Sequence, residues 1–165
     1  MICRTLHKGL CVLLLGLLFA SPVATAAGTA QPQLVVETLD GKTFNLAAER
    51  GKWVILNFWA TWCSPCIAEM PAISKYVATH KNVTAIGLAY DSTPRAEVLA
   101  FVHRHPVDYP LAQLDTDHPP SGLKMPDGLP TTYLVAPDGH VAQRFIGPVN
   151  AKLLDAAIAA ASKRG

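Results

Sequence analysis

Residues 53–66 read Trp53-Val54-Ile55-Leu56-Asn57-Phe58-Trp59-Ala60-Thr61-Trp62-Cys63-Ser64-Pro65-Cys66. The first seven are nearly all apolar and rich in β formers, the composition of a central strand buried on both faces. Thr61 to Pro65 reads as a turn with helix-start character, since proline is favoured at the first helical position. Ile67, Met70, Ile73 and Val77 then recur at three- and four-residue spacing, which predicts a helix to about His80. The cysteine pair thus sits where a buried strand hands over to a helix. Cys63 falls just before or at the helix start, where free N–H groups and the macrodipole favour negative charge. That lowers its thiol pKa and makes it the attacking thiolate. Cys66, one turn in, is deeper and can resolve a mixed disulfide, because a spacing of three on a helix brings the sulfurs within bridging reach. Ser64 and Pro65 tune the reduction potential, Pro65 by stiffening the turn and removing an N–H donor.

Outward from this segment the pattern is that of an α/β chain. Leu34 to Leu39 and Thr43 to Leu46 flank Asp40-Gly41, which predicts an N-terminal β-hairpin. Val83 to Tyr90 is a second buried strand, and Pro94 to about Arg104 a helix with Val98, Phe101 and Val102 inward. Asp115 to Leu129 (DTDHPPSGLKMPDGL) is rich in Pro, Gly and Asp and reads as loop. Thr131 to Ala136 and His140 to Ile146 are strands joined by Pro137-Asp138-Gly139. Asn150 caps a last helix carrying Leu153, Leu154, Ala157 and Ile158. Strand–helix–strand, then a hairpin and a closing helix, implies a central mixed sheet covered on both sides.

Of the 165 residues, 50% are hydrophobic and 16% charged, and the formal net charge is +2. Arg4 and Lys8 supply both units, so residues 27–165 are neutral and carry no basic patch; nucleic acid is excluded as the main partner. Those two residues form the positive start of a presequence, followed by apolar Leu10 to Ala20 and a small-residue stretch ending Ala24-Thr25-Ala26. Residues 1–26 are therefore expected to be a signal peptide, with an uncleaved membrane tether as the alternative, and the destination is the periplasm. Residues 27–33 read as a flexible leader and 34–165 as the folded domain. Cys3 and Cys11 leave with the presequence, so the mature chain keeps Cys63 and Cys66 alone. A loop this short is a poor structural crosslink, and zinc would need more ligands than the scattered histidines provide. The pair is there to react, and no metal site is expected.

The segment Asn57 to Cys66, followed by Pro71, resembles the active-site segment of the thioredoxin superfamily. Gly128-Leu129-Pro130-Thr131-Thr132-Tyr133-Leu134-Val135 resembles its second signature. The export signal, the N-terminal hairpin and the central βα insert narrow the likeness to exported thiol-disulfide oxidoreductases of the TlpA/ResA type, over essentially all of 34–162. The resemblance implies a thioredoxin-like fold, a catalytic Cys63–Cys66 disulfide with no other cofactor, and a cis proline at Pro130 packed against it. It also implies that the Leu129 backbone pairs with an incoming peptide and that Trp62 flanks the reactive sulfur and limits its exposure. Trp59 reads as core.

Two departures stand out. Relatives often carry a buried aspartate where this chain has Asn57, and asparagine cannot shuttle a proton. The acid near the end of the following strand is Asp91, which is either that proton relay or a cap for the next helix. Glu69 is the third candidate, with a dipole role in the first helical turns as its ordinary reading. The second departure is Asp115 to Leu129, where relatives often carry a short helix and the prolines and glycines here oppose one. The expected function is reduction of disulfides in periplasmic proteins, with a membrane thiol transporter of the DsbD/CcdA kind as electron donor. Clients in the family include apocytochromes c and copper-site assembly factors. A disulfide-donating oxidant and a copper-binding module using Cys63, Cys66 and a histidine are the alternatives.

Overall fold

Residues 31–163 are described by a computed structural model. Along the chain run β1 (Val35–Glu37), β2 (Thr43–Asn45), a 3-10 turn at Leu46–Glu49, β3 (Trp53–Trp59), α1 (Ser64–Thr79) and β4 (Val83–Ala89). Then follow α2 (Arg95–Arg104), β5 (Leu111–Gln113), β6 (Thr131–Val135), β7 (Val141–Ile146) and α3 (Ala151–Ser162). The expected signal peptide, residues 1–26, lies outside the described residues. Of the leader, residues 31–33 lie inside and are tied down. Gln33 N donates to Ser121 O at 3.0 Å and Gln31 Nε2 to Asp138 O at 2.9 Å, so packing begins before the expected boundary at 34.

β1 and β2 form the hairpin that Asp40-Gly41 predicts, with Gly41 at φ +80 in the left-handed region that suits glycine. The main sheet has the order β5-β4-β3-β6-β7. β3, β4 and β5 are parallel, and β6 and β7 run antiparallel to their neighbours. β3 is central and every one of its residues is buried, as its unbroken apolar run requires. β5 is an addition to the sequence reading. Three residues are too few to show a period, and the strand exists because β4 has a free edge for it: Gly87 N donates to Pro110 O and Leu114 N to Ala89 O.

The two faces of the sheet are covered differently. Side chains alternate along a strand, so Trp53, Ile55 and Trp59 point one way and Val54, Leu56 and Phe58 the other. The first set packs with Met70, Ile73 and Tyr76 of α1, Val98 and Phe101 of α2 and Leu154 of α3. The second packs with Phe44, Leu46, Leu114 and Tyr133, and with Leu123 and Met125 from the 115–129 segment. That segment has no helix. It is held instead by side chains: Tyr133 Oη donates to Lys124 O, and Thr131 Oγ1 to Gly128 O at 2.7 Å.

Candidate active site

Cys63 is the N-cap of α1. Its carbonyl accepts from Ile67 N at 3.1 Å, its own N–H donates to Ala60 O at 3.1 Å, and its Sγ accepts from Cys66 N at 3.3 Å. One of the free N–H groups at the helix start is thus aimed at the sulfur, the arrangement that favours a thiolate there. Cys63 and Cys66 are joined as a disulfide with Cα atoms 5.3 Å apart. Both are buried, Cys63 at 4% and Cys66 at 0% exposure, while Ser64 and Pro65 between them are exposed. Attack on a partner therefore requires close approach to the Cys63 side of the bond.

Trp62 is 68% exposed. Most of its surface faces solvent at the tip of the turn, while Cys63 beside it joins the helix-side core. Pro130 is buried, and the Leu129–Pro130 peptide is cis. Pro130 O accepts from Gly147 N at 2.9 Å, which fixes the loop to the chain leaving β7. Leu129 is half-buried and touches both cores.

Asp91 does not cap α2. The N-cap of α2 is Pro94, and the hydrogen bonds of Asp91 run elsewhere. Oδ2 accepts from Thr61 N at 3.1 Å and Thr61 Oγ1 at 3.4 Å, and Oδ1 accepts from Thr93 N at 3.0 Å. It is an Asx turn at the end of β4 whose second oxygen braces the turn two residues before Cys63. Its carboxylate holds backbone in place and has no hydrogen bond to either sulfur.

Glu69 is the acid whose weight the sequence reading underestimated. It is buried at 4% exposure, not on a solvated first turn. Oε1 accepts from Asn57 Nδ2 at 2.8 Å and Oε2 from Val149 N at 2.6 Å. Burial pushes its pKa above the ordinary 4.5, while the two hydrogen bonds pull the other way. It lies three residues beyond Cys66, on the same side of α1. Its spacing was the available signal: a glutamate in register with Cys66, Met70 and Ile73 belongs to the buried stripe. Asn57 does not titrate, and its place is explained by what it holds, since Nδ2 also donates to Thr132 Oγ1 at 3.0 Å.

Behind this pair lies a group of buried polar atoms. Among the described residues Asn57 Oδ1, Trp59 Nε1 and Tyr109 Oη have no hydrogen-bond partner. Tyr109 is 6% exposed, and burial together with the charge of Glu69 pushes its hydroxyl pKa up. No group of three His, Cys, Asp or Glu side chains arranged for a metal is found among the described residues. His80 Nδ1 lies 2.8 Å from Tyr76 O, and His140 pairs with Asp138 at 3.3 Å.

The sequence profile described as the AhpC/TSA family matches residues 27–144. The chain is similar to the thiol-disulfide oxidoreductase ResA of Bacillus thuringiensis (strain Al Hakam), 37% identical over 131 residues covering 78% of this chain and 75% of that one. ResA of Bacillus subtilis (strain 168) is 30% identical over 140 residues, covering 82% and 76%. Among solved structures, a thiol:disulfide interchange protein DsbE from Chlorobium tepidum superposes with a TM-score of 0.67 at 25% identity, over 79% of this chain and 94% of that one.

Proposed function

Since the chain belongs to the AhpC/TSA family and is a thiol-disulfide oxidoreductase, we propose that it works as an exported reductant of disulfides in periplasmic client proteins. The observation that carries this reading is Glu69, a buried carboxylate one helical turn beyond the inner cysteine with its pKa raised. Forming the Cys63–Cys66 disulfide as a client is released takes the proton of the second thiol inside the protein, and an acid of raised pKa near that thiol is the group for it.

In the reduced protein the Cys63 thiolate attacks a client disulfide. The client S–S bond breaks, a Cys63–client bond forms, and the first client sulfur leaves as thiolate, taking its proton from water. Glu69 accepts the proton of the Cys66 thiol. The Cys66 thiolate then attacks Cys63 Sγ, releasing the second client thiolate and leaving the Cys63–Cys66 disulfide. Two electrons have passed to the client, and a proton remains on Glu69 to be given up to solvent. A membrane dithiol transporter of the DsbD/CcdA kind would return the electrons, and no cofactor besides the disulfide takes part. Residues 1–26 would direct export, or tether the protein if uncleaved. Exposed Trp62, Ser64 and Pro65 and the backbone of Leu129 offer the surface a client would meet, an apocytochrome c or a copper-site protein being suitable in chemistry.

The equilibrium reduction potential of the pair tests the direction. A value near or below about −200 mV supports a reductant, and one near about −120 mV makes the protein a disulfide donor instead. Glu69→Gln is expected to slow release of the mixed disulfide more than its formation, read by rapid-quench trapping of the Cys63–client species. Equal slowing of both steps would remove Glu69 from the proton transfer.

A further inference from the structure

Three unpartnered buried polar atoms close to one buried acid need an account, because such atoms are rare in a folded interior. Asn57 and Trp59 sit two residues apart on β3 and Tyr109 comes from the chain ahead of β5, and the three meet over Gly87. Asn57 pairs with Gly87 across β3 and β4, and in a parallel pair such residues project to the same face. A Cβ on Gly87 would stand 3.1 Å from Trp59 Nε1 and 3.3 Å from Tyr109 Cε2, and would collide with Leu111 Cδ2. The absence of a side chain at Gly87 is what lets the indole and phenol edges close over the strand. The atoms left over are complementary: Trp59 Nε1 can only donate, Asn57 Oδ1 can only accept, and Tyr109 Oη does both. A buried water typically makes about three hydrogen bonds to groups of this kind.

We propose that Asn57 Oδ1, Trp59 Nε1 and Tyr109 Oη line an internal water site beside Glu69, and that Tyr109 supports the ionised Glu69 carboxylate through that water. The second half rests on the reading of Glu69 as the proton acceptor; the water site stands on the orphaned atoms. Glu69 has Cys66 one turn back on α1, Asn57 opposite on β3 with Thr132 of β6 behind it, Tyr109 ahead of β5 and the Val149 N–H ahead of α3. Among the described residues no charged side chain shifts it. Its ionisation is therefore set by burial against the neutral dipoles around it. A water held by Tyr109 adds a donor to the carboxylate, and it gives the proton on Glu69 a neighbour to which it can move. Tyr109 is thus a positioning residue, acting on Glu69 and not on substrate.

The test compares the disulfide-bonded wild type with Tyr109→Phe, which removes one hydroxyl and keeps the ring. Two quantities are read by NMR: the cross-peak between water and the Trp59 indole proton, and the pH titration of the Glu69 side-chain carboxyl. The expected result is a water cross-peak at Trp59 in the wild type that weakens or vanishes in Tyr109→Phe, with the Glu69 titration moved up by about one pH unit. No water cross-peak in the wild type, or a Glu69 titration unmoved by the substitution, overturns the proposal. Turnover by Glu69→Gln is measured separately, and wild-type rates there would overturn the proton-acceptor reading without touching the water site.

Discussion

The two faces of the central sheet are built from different materials. On one side three helices cover β3 and satisfy their own backbone groups, so the polar side chains buried there are free for other tasks. The disulfide, Glu69, Asn57 and the unpartnered Trp59 and Tyr109 atoms all lie on that side. On the other side a hairpin, a 3-10 turn and the proline-rich 115–129 segment close the core. Irregular chain needs its backbone groups held by something else, and most polar side chains there are occupied in doing so, with Arg144 Nε beside Tyr133 the one buried side-chain atom on that face, among the described residues, without a hydrogen-bond partner. Tyr133 holds Lys124 O, Thr131 holds Gly128 O, and Asp127 pairs with Lys124 at 2.7 Å and Arg144 at 3.4 Å. Chemistry collects where the scaffold leaves buried polar groups over.

If that division is real, damage to the two sides should read out differently. Cys63→Ser on the helix side is expected to abolish disulfide turnover in an insulin-reduction assay, while a thermal melt stays close to that of the reduced wild type. Residual turnover through Cys66 alone would break the assignment of the attacking sulfur.

Leu46, fully buried in the 3-10 turn of the opposite face, gives the converse case. Leu46→Ala should cost about 2–5 kcal/mol of stability in denaturant unfolding and leave the reduction potential of the folded protein unchanged. A shifted potential would show that the loop-covered face takes part in the chemistry.

Asp91 sits at the seam. Asparagine has a single side-chain oxygen for the Thr61 N–H and the Thr93 N–H, so its NH2 group would face one of these two backbone donors. Asp91→Asn is therefore expected to cost about 1–3 kcal/mol, by the same unfolding measurement. It should leave the pH dependence of turnover in place, whereas a collapse of that profile would make Asp91 the proton relay.

The smallest effect is a slope. With its folded pKa above the ordinary 4.5, Glu69 binds its proton more tightly folded than unfolded. Its contribution is undiminished below 4.5 and declines as pH rises toward the folded value. The exposed Asp40 and the carboxyls of Asp115, Asp127 and Asp138 are held below their usual value and act in the opposite sense at lower pH. Subtracting the stability–pH curve of Glu69→Gln from that of the wild type isolates the Glu69 term, which should fall with rising pH. A rising difference would contradict the raised pKa.

Most of the architecture could be read in advance from local pattern. The seven-residue run at Trp53 marked the central strand, the three- and four-residue spacing marked α1, and the prolines of 115–129 ruled out a helix there. β5 could not be read, because a three-residue strand has no period and is defined only by its partner. The site divides in the same way. Cys63 and Cys66 were legible because their chemistry depends on a strand–helix junction, which is local. Asp91 was found, but what it holds was not, since Thr61 is 30 residues away and the bond is made by the fold.

The sequence by itself therefore determined the order of strands and helices apart from β5, the reactive pair and the position of Cys63 at a helix start. These follow from interactions between residues close in the chain. Only the tertiary structure decided what Asp91 holds, that Asn57 holds Glu69, and that Trp59 and Tyr109 meet over Gly87. Register along α1 already placed Glu69 in the buried stripe, but its partners and the unsatisfied hydrogen bonds around it come from segments distant in the chain, which no local pattern could state.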